Sequence, residues 1–176
     1  MISSKRAFAA GQWLPLPVAW KGATQWFPWK ERPAMSAAHS EEQGQCLCGA
    51  VRFQATIGAR EMGACHCSMC RRWSGGVFLA VECQGVAVQD PEHLGVYASS
   101  EWGERCFCKV CGSTVMWRSK DGTHHAVSVQ AFSDPSTFAL ASQIFVDEKP
   151  ASYSFAETTK NMTGPEFIAM VTAAKP

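Results

Sequence analysis

Residues 65–70 read Cys-His-Cys-Ser-Met-Cys, and residues 106–111 read Cys-Phe-Cys-Lys-Val-Cys. Both segments have the pattern C-x-C-x-x-C, and a further C-x-C lies upstream at Cys46-Leu47-Cys48. Spacers of one or two residues let a single turn direct two sulfurs at one ion, and thiolates are typical zinc ligands. Because eight cysteines fall into these three clusters, the sequence predicts metal sites that fix the fold.

The nine cysteines have explanations other than zinc. An odd total leaves one residue unpaired in a disulfide framework, and cysteines one or two residues apart are awkward to bridge. Use as small buried hydrophobes explains an isolated residue such as Cys83, but not three tight clusters. Iron–sulfur ligation stays open, although separate C-x-C pairs fit mononuclear zinc better. Spacing does not determine which clusters share an ion, so the eight sulfurs divide four and four or leave one site with three.

The composition excludes several classes of function. The 176 residues suffice for one domain with a core, and 47% of them are hydrophobic. A net charge of +1 and a pI of about 7.6 provide no basic footprint for nucleic acid. No segment has the ~18 uninterrupted apolar residues of a membrane helix. Gln12, Pro15 and Pro17 interrupt the apolar stretch after Lys5 and Arg6, so we expect no secretion signal and a cytoplasmic, reducing location.

Residues 1–44 differ from the rest of the chain. They hold four of the seven tryptophans, four of the nine prolines and no cysteine, and no strand or helix period persists there. We expect an irregular extension that is poorly ordered or lies upstream of a true start at Met35. The alternative is an aromatic segment that covers a groove or contacts a partner. Residues 45–176 are predicted to form the zinc-binding domain.

The remainder of the chain is predicted to be mainly β. Residues 51–57 alternate apolar and polar side chains, which predicts a half-buried strand. Further short strands are predicted at 77–81, 86–88, 95–97, 114–117 and 126–132. We expect a helical turn after Asp134-Pro135 and a terminal helix over residues 166–173.

Three motifs resemble those of a known family. They are Gly44-Gln45-Cys46-Leu47-Cys48-Gly49-Ala50-Val51, Cys65 to Arg72 followed by Ser74-Gly75, and Glu101-Trp102 to Phe107-Cys108-Lys109-Val110-Cys111-Gly112-Ser113. Together they are similar to the glutathione-dependent formaldehyde-activating enzyme family, which also includes centromere protein V. The resemblance extends from about Gly44 to about Phe155. It implies a zinc-pinned β-tent type fold of short antiparallel strands with few short helices.

The same resemblance implies two zinc ions per chain and a role for seven cysteines. The structural zinc would be held by Cys46, Cys48, Cys108 and Cys111, and the catalytic zinc by Cys65, Cys67 and Cys70. Three thiolates leave one position open for a thiol, water or carbonyl oxygen. There zinc deprotonates a bound thiol or polarises an aldehyde. The implied enzyme is a carbon–sulfur lyase that joins a small, glutathione-like thiol to an aldehyde such as formaldehyde, or catalyses the reverse.

Two departures from the family pattern bear on function. Cys106 stands where the family more often has glycine or another non-ligand, so it either replaces a ligand or is a spare thiol. Gln143 stands where the family usually has histidine, and the usual tryptophan near Ser152 is missing, so the substrate can differ. The alternative function is a non-catalytic, zinc-stabilised binding module, because fold does not fix function. The oligomeric state is left open.

Other side chains beside the clusters also have two explanations. His66 lies between two proposed ligands, and we expect it to support the site or face solvent rather than bind metal. The clusters are flanked by four cations, Arg71, Arg72, Arg105 and Lys109. These either stabilise thiolates and bind carboxylates of a glutathione-like ligand, or are solvated charges. Trp73 and Trp102 are expected in the core.

Overall fold

The computed structural model describes residues 40–173, and within this range the protein is mainly β, as predicted. The strands are β1 (Ser40–Gln45), β2 (Arg52–Ile57), β3 (Glu61–Cys65), β4 (Phe78–Val88), β5 (Leu94–Ala98), β6 (Gly103–Cys108), β7 (Thr114–Ser119), β8 (His125–Ser128), β9 (Ala139–Ile144) and β10 (Lys160–Met162). The two α-helices of this range are α1 (Ser68–Ser74) and α2 (Gly164–Ala173).

The strands of residues 40–173 join one sheet. Its main path runs β10-β9-β3-β4-β8-β7-β6-β5, and β2 attaches β1 to β4. The β3–β9 and β9–β10 pairs are parallel, and the other pairs are antiparallel. The long strand β4 pairs with β3 at its start, with β8 in its middle and with β2 at its end. It therefore connects the strand that carries Cys65 to the β1–β2 pair, whose loop carries Cys46 and Cys48.

The main core forms on the inward face of β2 and its neighbours. Phe53 and Ile57 are buried, whereas Arg52 and Gln54, on either side of Phe53, are exposed, as the alternation predicts. The ring of Phe132 meets that of Phe53 edge-on at 5.6 Å. Each such side chain contributes roughly 1.5–3 kcal/mol through its burial. Burial of alternate residues therefore fixes which face of β2 points inward.

Strand β4 is longer than the sequence predicts. The separate strands predicted at 77–81 and 86–88 are one strand, Phe78–Val88. Val81 and Cys83 are both buried, so the inward alternation continues through the polar middle of the strand. Conversely, β8 ends at Ser128, and a short 3-10 turn replaces the rest of the strand predicted over 126–132. The helical turn expected after Asp134-Pro135 is present, and the Asp134 carboxylate accepts the Ser136 N–H at 3.0 Å.

The described fold begins before the predicted boundary at residue 45. Strand β1 starts at Ser40 and pairs along its whole length with β2. Its residues are polar or glycine, so no apolar alternation marks the strand in the sequence. Gly44 is needed for packing, because a Cβ there would lie 2.5 Å from the Ala131 carbonyl oxygen. Residues 1–39, which hold most of the predicted extension and its Met35, lie outside the described residues.

The terminal helix begins at Gly164, two residues before the predicted start. The Glu166 carboxylate accepts the Thr163 backbone N–H at 2.7 Å, and the Glu166 N–H donates to the Thr163 hydroxyl at 3.4 Å, which forms a capping box. Phe167 packs against Phe145 with ring centroids 5.6 Å apart, so α2 lies beside the end of β9. Within residues 40–173, neither helix has the length and apolar character needed to cross a membrane.

Candidate metal centres

The first cysteine cluster joins two similar loops. It comprises Cys46 and Cys48 of the β1–β2 loop, Cys108 at the end of β6 and Cys111 of the β6–β7 loop. Gly49 and Gly112 follow the last cysteine of each loop and have φ values of 75° and 76°. Glycine adopts this left-handed conformation without the penalty that a Cβ imposes. The Gly49 N–H donates to the Cys46 carbonyl at 3.1 Å, and the Gly112 N–H donates to the Cys108 carbonyl at 2.9 Å. Both loops therefore curl back over their first cysteine.

The sulfur spacing of this cluster fits a tetrahedral metal site. The four sulfurs lie within 4.8 Å of one another. The Cys46 and Cys48 sulfurs are 3.6 Å apart, and the Cys48 and Cys108 sulfurs are 3.8 Å apart. Zinc–sulfur bonds of about 2.3 Å place tetrahedral ligands about 3.8 Å apart, whereas a disulfide requires about 2.0 Å. The donor set therefore matches a four-thiolate zinc site.

Ser113 supports the first cluster in a way that the sequence analysis missed. Its hydroxyl accepts the Leu47 N–H at 3.2 Å and lies 3.2 Å from the Cys111 sulfur. Hydrogen bonds from the Ser113 side chain and backbone lower the pKa of Cys111 to about 5. The Cys46 sulfur in turn accepts the Val51 N–H at 3.3 Å. These donors favour the thiolate form that binds metal. The available sequence signal was the serine two residues after the last cysteine.

The second cluster forms where β3 turns into α1. Cys65 is the last residue of β3, Cys67 precedes α1, and Cys70 lies in its first turn. The Cys67 sulfur accepts the Cys70 N–H at 3.4 Å and thereby caps the helix. The three sulfurs lie within 4.8 Å of one another, and no fourth cysteine, histidine or carboxylate of residues 40–173 belongs to the group. The structure therefore brings together three sulfur donors, one fewer than a four-coordinate zinc site needs.

The three thiols of this cluster shift one another's ionisation. Hydrogen bonds from Cys65 and Cys70 lower the pKa of Cys67 to about 2. The hydrogen bond to Cys67 raises the pKa of Cys65. The first negative charge is therefore stabilised on Cys67, and ionisation of the other two thiols beside it is disfavoured.

Arg105 is the one cation of the four flanking residues that contacts a sulfur of this cluster. Its side chain is buried, with 5% of the residue exposed, and both terminal nitrogens lie 3.7 Å from the Cys70 sulfur. Its guanidinium also lies 4.8 Å from the centre of the Trp73 ring. Within residues 40–173 no carboxylate forms an ion pair with it. Because an uncompensated buried charge is costly, Arg105 indicates negative charge on the cysteine cluster. A divalent ion held by three thiolates would carry a charge of −1, which Arg105 would balance.

Cys106 and Cys83 belong to neither cluster. Cys106 is fully buried on β6, two residues before Cys108 and therefore roughly 7 Å farther along the strand. Of the two explanations for Cys106, a ligand role does not fit this position, and a buried spare thiol does. Cys83 is buried on β4 as expected, and its burial raises its pKa to about 12.

His66 is fixed inside the protein rather than facing solvent. It is fully buried, its Nε2 donates to Gln143 Oε1 at 3.0 Å, and the Tyr153 hydroxyl donates to its Nδ1 at 2.8 Å. Burial lowers the pKa of His66, so the ring is neutral. Its two hydrogen bonds hold the segment between Cys65 and Cys67. Gln143, at the position where the resemblance leads us to expect histidine, therefore contacts His66.

A cavity of about 490 Å³ opens beside the second cluster. The three cysteine residues, Arg105 and a series of aromatic side chains line it. Ser142 and Ile144 of β9 line this cavity, whereas Gln143 between them does not. Trp102, which we expected in the core, lies at the cavity with 48% of its surface exposed and packs on Trp117 at 5.4 Å. The site thus combines a three-thiolate group with an adjoining space for a ligand.

Fold and site together define a mainly β protein with two cysteine clusters that could hold metal ions. The family model of the glutathione-dependent formaldehyde-activating enzyme matches residues 41–148. The chain belongs to this family, and the resemblance seen in the three motifs is confirmed.

Two relatives and one solved structure are similar to the chain. The chain is 34% identical over 133 residues to an uncharacterized lyase of Schizosaccharomyces pombe. The aligned region covers 74% of this chain and 97% of the relative. The chain is also 35% identical over 83 residues to a Halomonas elongata protein that is named provisionally as a glutathione-dependent formaldehyde-activating enzyme. This aligned region covers 42% of this chain and 53% of that protein. A crystal structure of a Rhodobacter sphaeroides protein has 24% identity and a TM-score of 0.46, and covers 52% of this chain and 87% of that chain.

Proposed function

We propose that the protein is a zinc-dependent, carbon–sulfur lyase-like enzyme that adds a small, glutathione-like thiol to an aldehyde such as formaldehyde, or catalyses the reverse. Membership of the family and the lyase name of the Schizosaccharomyces pombe relative support an enzyme with this kind of activity. The observation that carries the proposal is the three-cysteine cluster in the wall of a cavity, with the buried Arg105 beside it. Because cysteine ligands must stay reduced, we also propose a reducing compartment, the cytoplasm.

The two clusters have different proposed roles. The catalytic zinc is assigned to Cys65, Cys67 and Cys70, and the structural zinc to Cys46, Cys48, Cys108 and Cys111. Sulfur spacing supports the four-thiolate assignment, and the buried positive charge of Arg105 supports the three-thiolate assignment. Zinc bound by three thiolates supplies Lewis acidity and lowers the pKa of a thiol in its open position.

Three features of the site assist the reaction: the charge of Arg105, the enclosure of the cavity and the placement of the two reactants. Arg105 compensates the negative charge of the cysteine cluster and borders the cavity. The cavity removes reactants from bulk water, which strengthens electrostatic interactions within it. Holding thiol and aldehyde side by side makes their encounter local. In the addition, the sulfur–carbon bond forms, the carbonyl π bond opens, and the thiol proton is transferred to the oxygen. The reaction needs no oxidant or reductant.

Exchange of formaldehyde between its free and glutathione-bound forms tests the proposed function. We expect the zinc-loaded protein to accelerate this exchange, measured by NMR at equilibrium, above the spontaneous rate. Removal of metal with a chelator should abolish the acceleration, and added zinc should restore it. If the fully zinc-loaded protein leaves the spontaneous rate unchanged, the enzyme assignment fails and the binding-module alternative is favoured.

Arg105→Gln is expected to weaken metal binding at the second cluster by about 10- to 100-fold. The neutral amide leaves the negative charge of the three-thiolate site uncompensated in a buried position. Competition with a coloured chelator measures the affinity of each site. Arg118→Gln is the matched control, because Arg118 lies on the neighbouring strand and pairs with Glu104 at 2.9 Å. Equal affinities in the two variants would contradict the proposed role of Arg105.

A further inference from the structure

Small residues on three strands form a depression beside the second cluster. Gly63 of β3 pairs with Ser142 of β9 on one side and with Ala80 of β4 on the other, and all three residues line the cavity. Ala126 of β8 extends this surface and pairs with Trp117 of β7. Direct cross-strand partners lie on the same face of a sheet. The absence of large side chains at these positions therefore creates the depth of the cavity.

The walls of the cavity are mainly apolar and include five aromatic rings. They include Phe78, Trp102, Trp117, Phe145 and Phe167. Of the eight large hydrophobic side chains that are exposed in the described part of the chain, four line this cavity: Met69, Trp102, Ile168 and Met170. Concentrated exposed apolar surface of this kind marks ligand-binding grooves. Helix α2, which lies beyond the family match at residue 148, supplies several of these residues.

The charged groups of the cavity do not suit a peptide thiol. Arg105 and Glu82 are the charged residues in its lining. Arg105 already faces the Cys70 sulfur, and the exposed Glu82 pairs with His124 at 3.2 Å. Glutathione carries two carboxylates and an ammonium group, and burial of unpaired charges among apolar side chains is strongly unfavourable. The charged groups of such a thiol therefore stay outside the cavity.

Formaldehyde alone does not account for the volume of the cavity. At about 490 Å³ it falls in the range of pockets that bind drug-sized ligands, whereas formaldehyde contributes two heavy atoms. We propose that the cavity binds the apolar substituent of the carbonyl partner, so that the preferred substrates are aldehydes with an aromatic or long aliphatic group. This proposal rests on the proposed function: the thiol reaches the cluster while its charged groups stay outside the cavity, so the aldehyde must supply the apolar group. The addition has the same balance as with formaldehyde, with the thiol proton on the new hydroxyl.

Comparison of two aldehydes tests this substrate class. With zinc-loaded protein and glutathione, kcat/KM for phenylacetaldehyde should exceed that for formaldehyde by about tenfold or more, measured by exchange NMR. Equal or lower values for phenylacetaldehyde would overturn the substrate class while the proposed function stands. If neither aldehyde exchanges faster than spontaneously, the proposed function fails, and the substrate class fails with it.

A variant that fills the cavity is tested in two ways: by its kcat/KM values, and by the binding of an unreactive analogue, which does not depend on the reaction. Ala80→Leu should lower the phenylacetaldehyde-to-formaldehyde ratio of kcat/KM by at least about tenfold. It should also abolish binding of 2-phenylethanol, an unreactive analogue, in saturation-transfer NMR. Ala87→Leu is the control, because Ala87 is exposed on the same strand and does not line the cavity. Ala126→Leu fills the same space from β8 if Ala80→Leu does not fold. Unchanged binding of 2-phenylethanol in a folded filling variant would overturn the proposal.

Discussion

Replacement of Cys108 by alanine is expected to release metal from the first cluster and to destabilise the whole domain. Cys108 is fully buried, and its sulfur lies 3.8 Å from that of Cys48 in the other loop. Metal binding in small structural zinc sites contributes on the order of 10 kcal/mol, comparable to the entire stability of a typical domain. We therefore expect the melting temperature to fall by at least about 15 °C, with the loss of one zinc per chain. Circular dichroism and elemental analysis measure the two effects.

Cys106→Ala is the matched control for this variant. Cys106 lies two residues away on the same strand and is equally buried, but it belongs to neither cluster. Its truncation removes a small buried side chain and should cost about 1–2 kcal/mol without loss of metal. A Cys108→Ala protein that keeps its zinc and its melting temperature would contradict the structural role. So would a Cys106→Ala protein that loses metal equally.

Cys67→Ser is expected to give a folded protein with one zinc instead of two and strongly reduced catalytic activity. Serine is a good N-cap residue, so its oxygen can accept the Cys70 N–H that the Cys67 sulfur accepts. A hydroxyl does not replace a thiolate ligand, and two thiolates hold zinc poorly. The accelerated exchange of formaldehyde and glutathione should fall by on the order of 100-fold or more, while the melting temperature changes little. Elemental analysis, exchange NMR and thermal unfolding test these three outcomes.

Cys83→Ser supplies the control for a buried cysteine outside the clusters. Cys83 is buried on β4 and belongs to neither cysteine cluster, so it is not expected to hold metal. The variant should retain both zinc ions and full activity. If Cys67→Ser instead bound two zinc ions and kept wild-type exchange, the assignment of the catalytic site would be wrong.

The sequence predicted the two cysteine groups that the structure assembles, but only through the family resemblance. Spacing alone did not show which clusters lie together, because Cys48 and Cys108 are 60 residues apart. Their proximity depends on the pairing of distant strands, which short sequence patterns do not encode. Likewise, the separate position of Cys106 follows from the length of β6 between it and the loop.

Arg105 and the cavity could not be identified from the sequence. Four cations flank the clusters, and the sequence offered no reason to choose among them. In the structure, the Lys109 ammonium donates to the Glu92 carbonyl, and Arg71 donates to the His66 carbonyl, whereas Arg105 faces Cys70. The cavity depends on small residues from several strands, which become neighbours only through strand order.

Secondary structure was predictable where apolar residues alternate or cluster, and strands without such a pattern were missed. The β2 alternation is regular, so its inward face could be assigned from the sequence. Strands β3 and β9 mix small, polar and apolar residues without a clear period. They form a parallel pair that is stabilised by its neighbours in the sheet, and such context outweighs local strand propensity.

Titration of the cobalt-substituted protein with glutathione most directly tests whether the three-cysteine site is open to a substrate thiol. Cobalt occupies zinc sites and reports its ligands through visible absorption. We predict two cobalt ions per chain and an absorption change that saturates at one glutathione per chain in the wild-type protein, with no such change in Cys67→Ser. A wild-type spectrum that is unaffected by millimolar glutathione, with two cobalt ions bound, would contradict an open thiol-binding site.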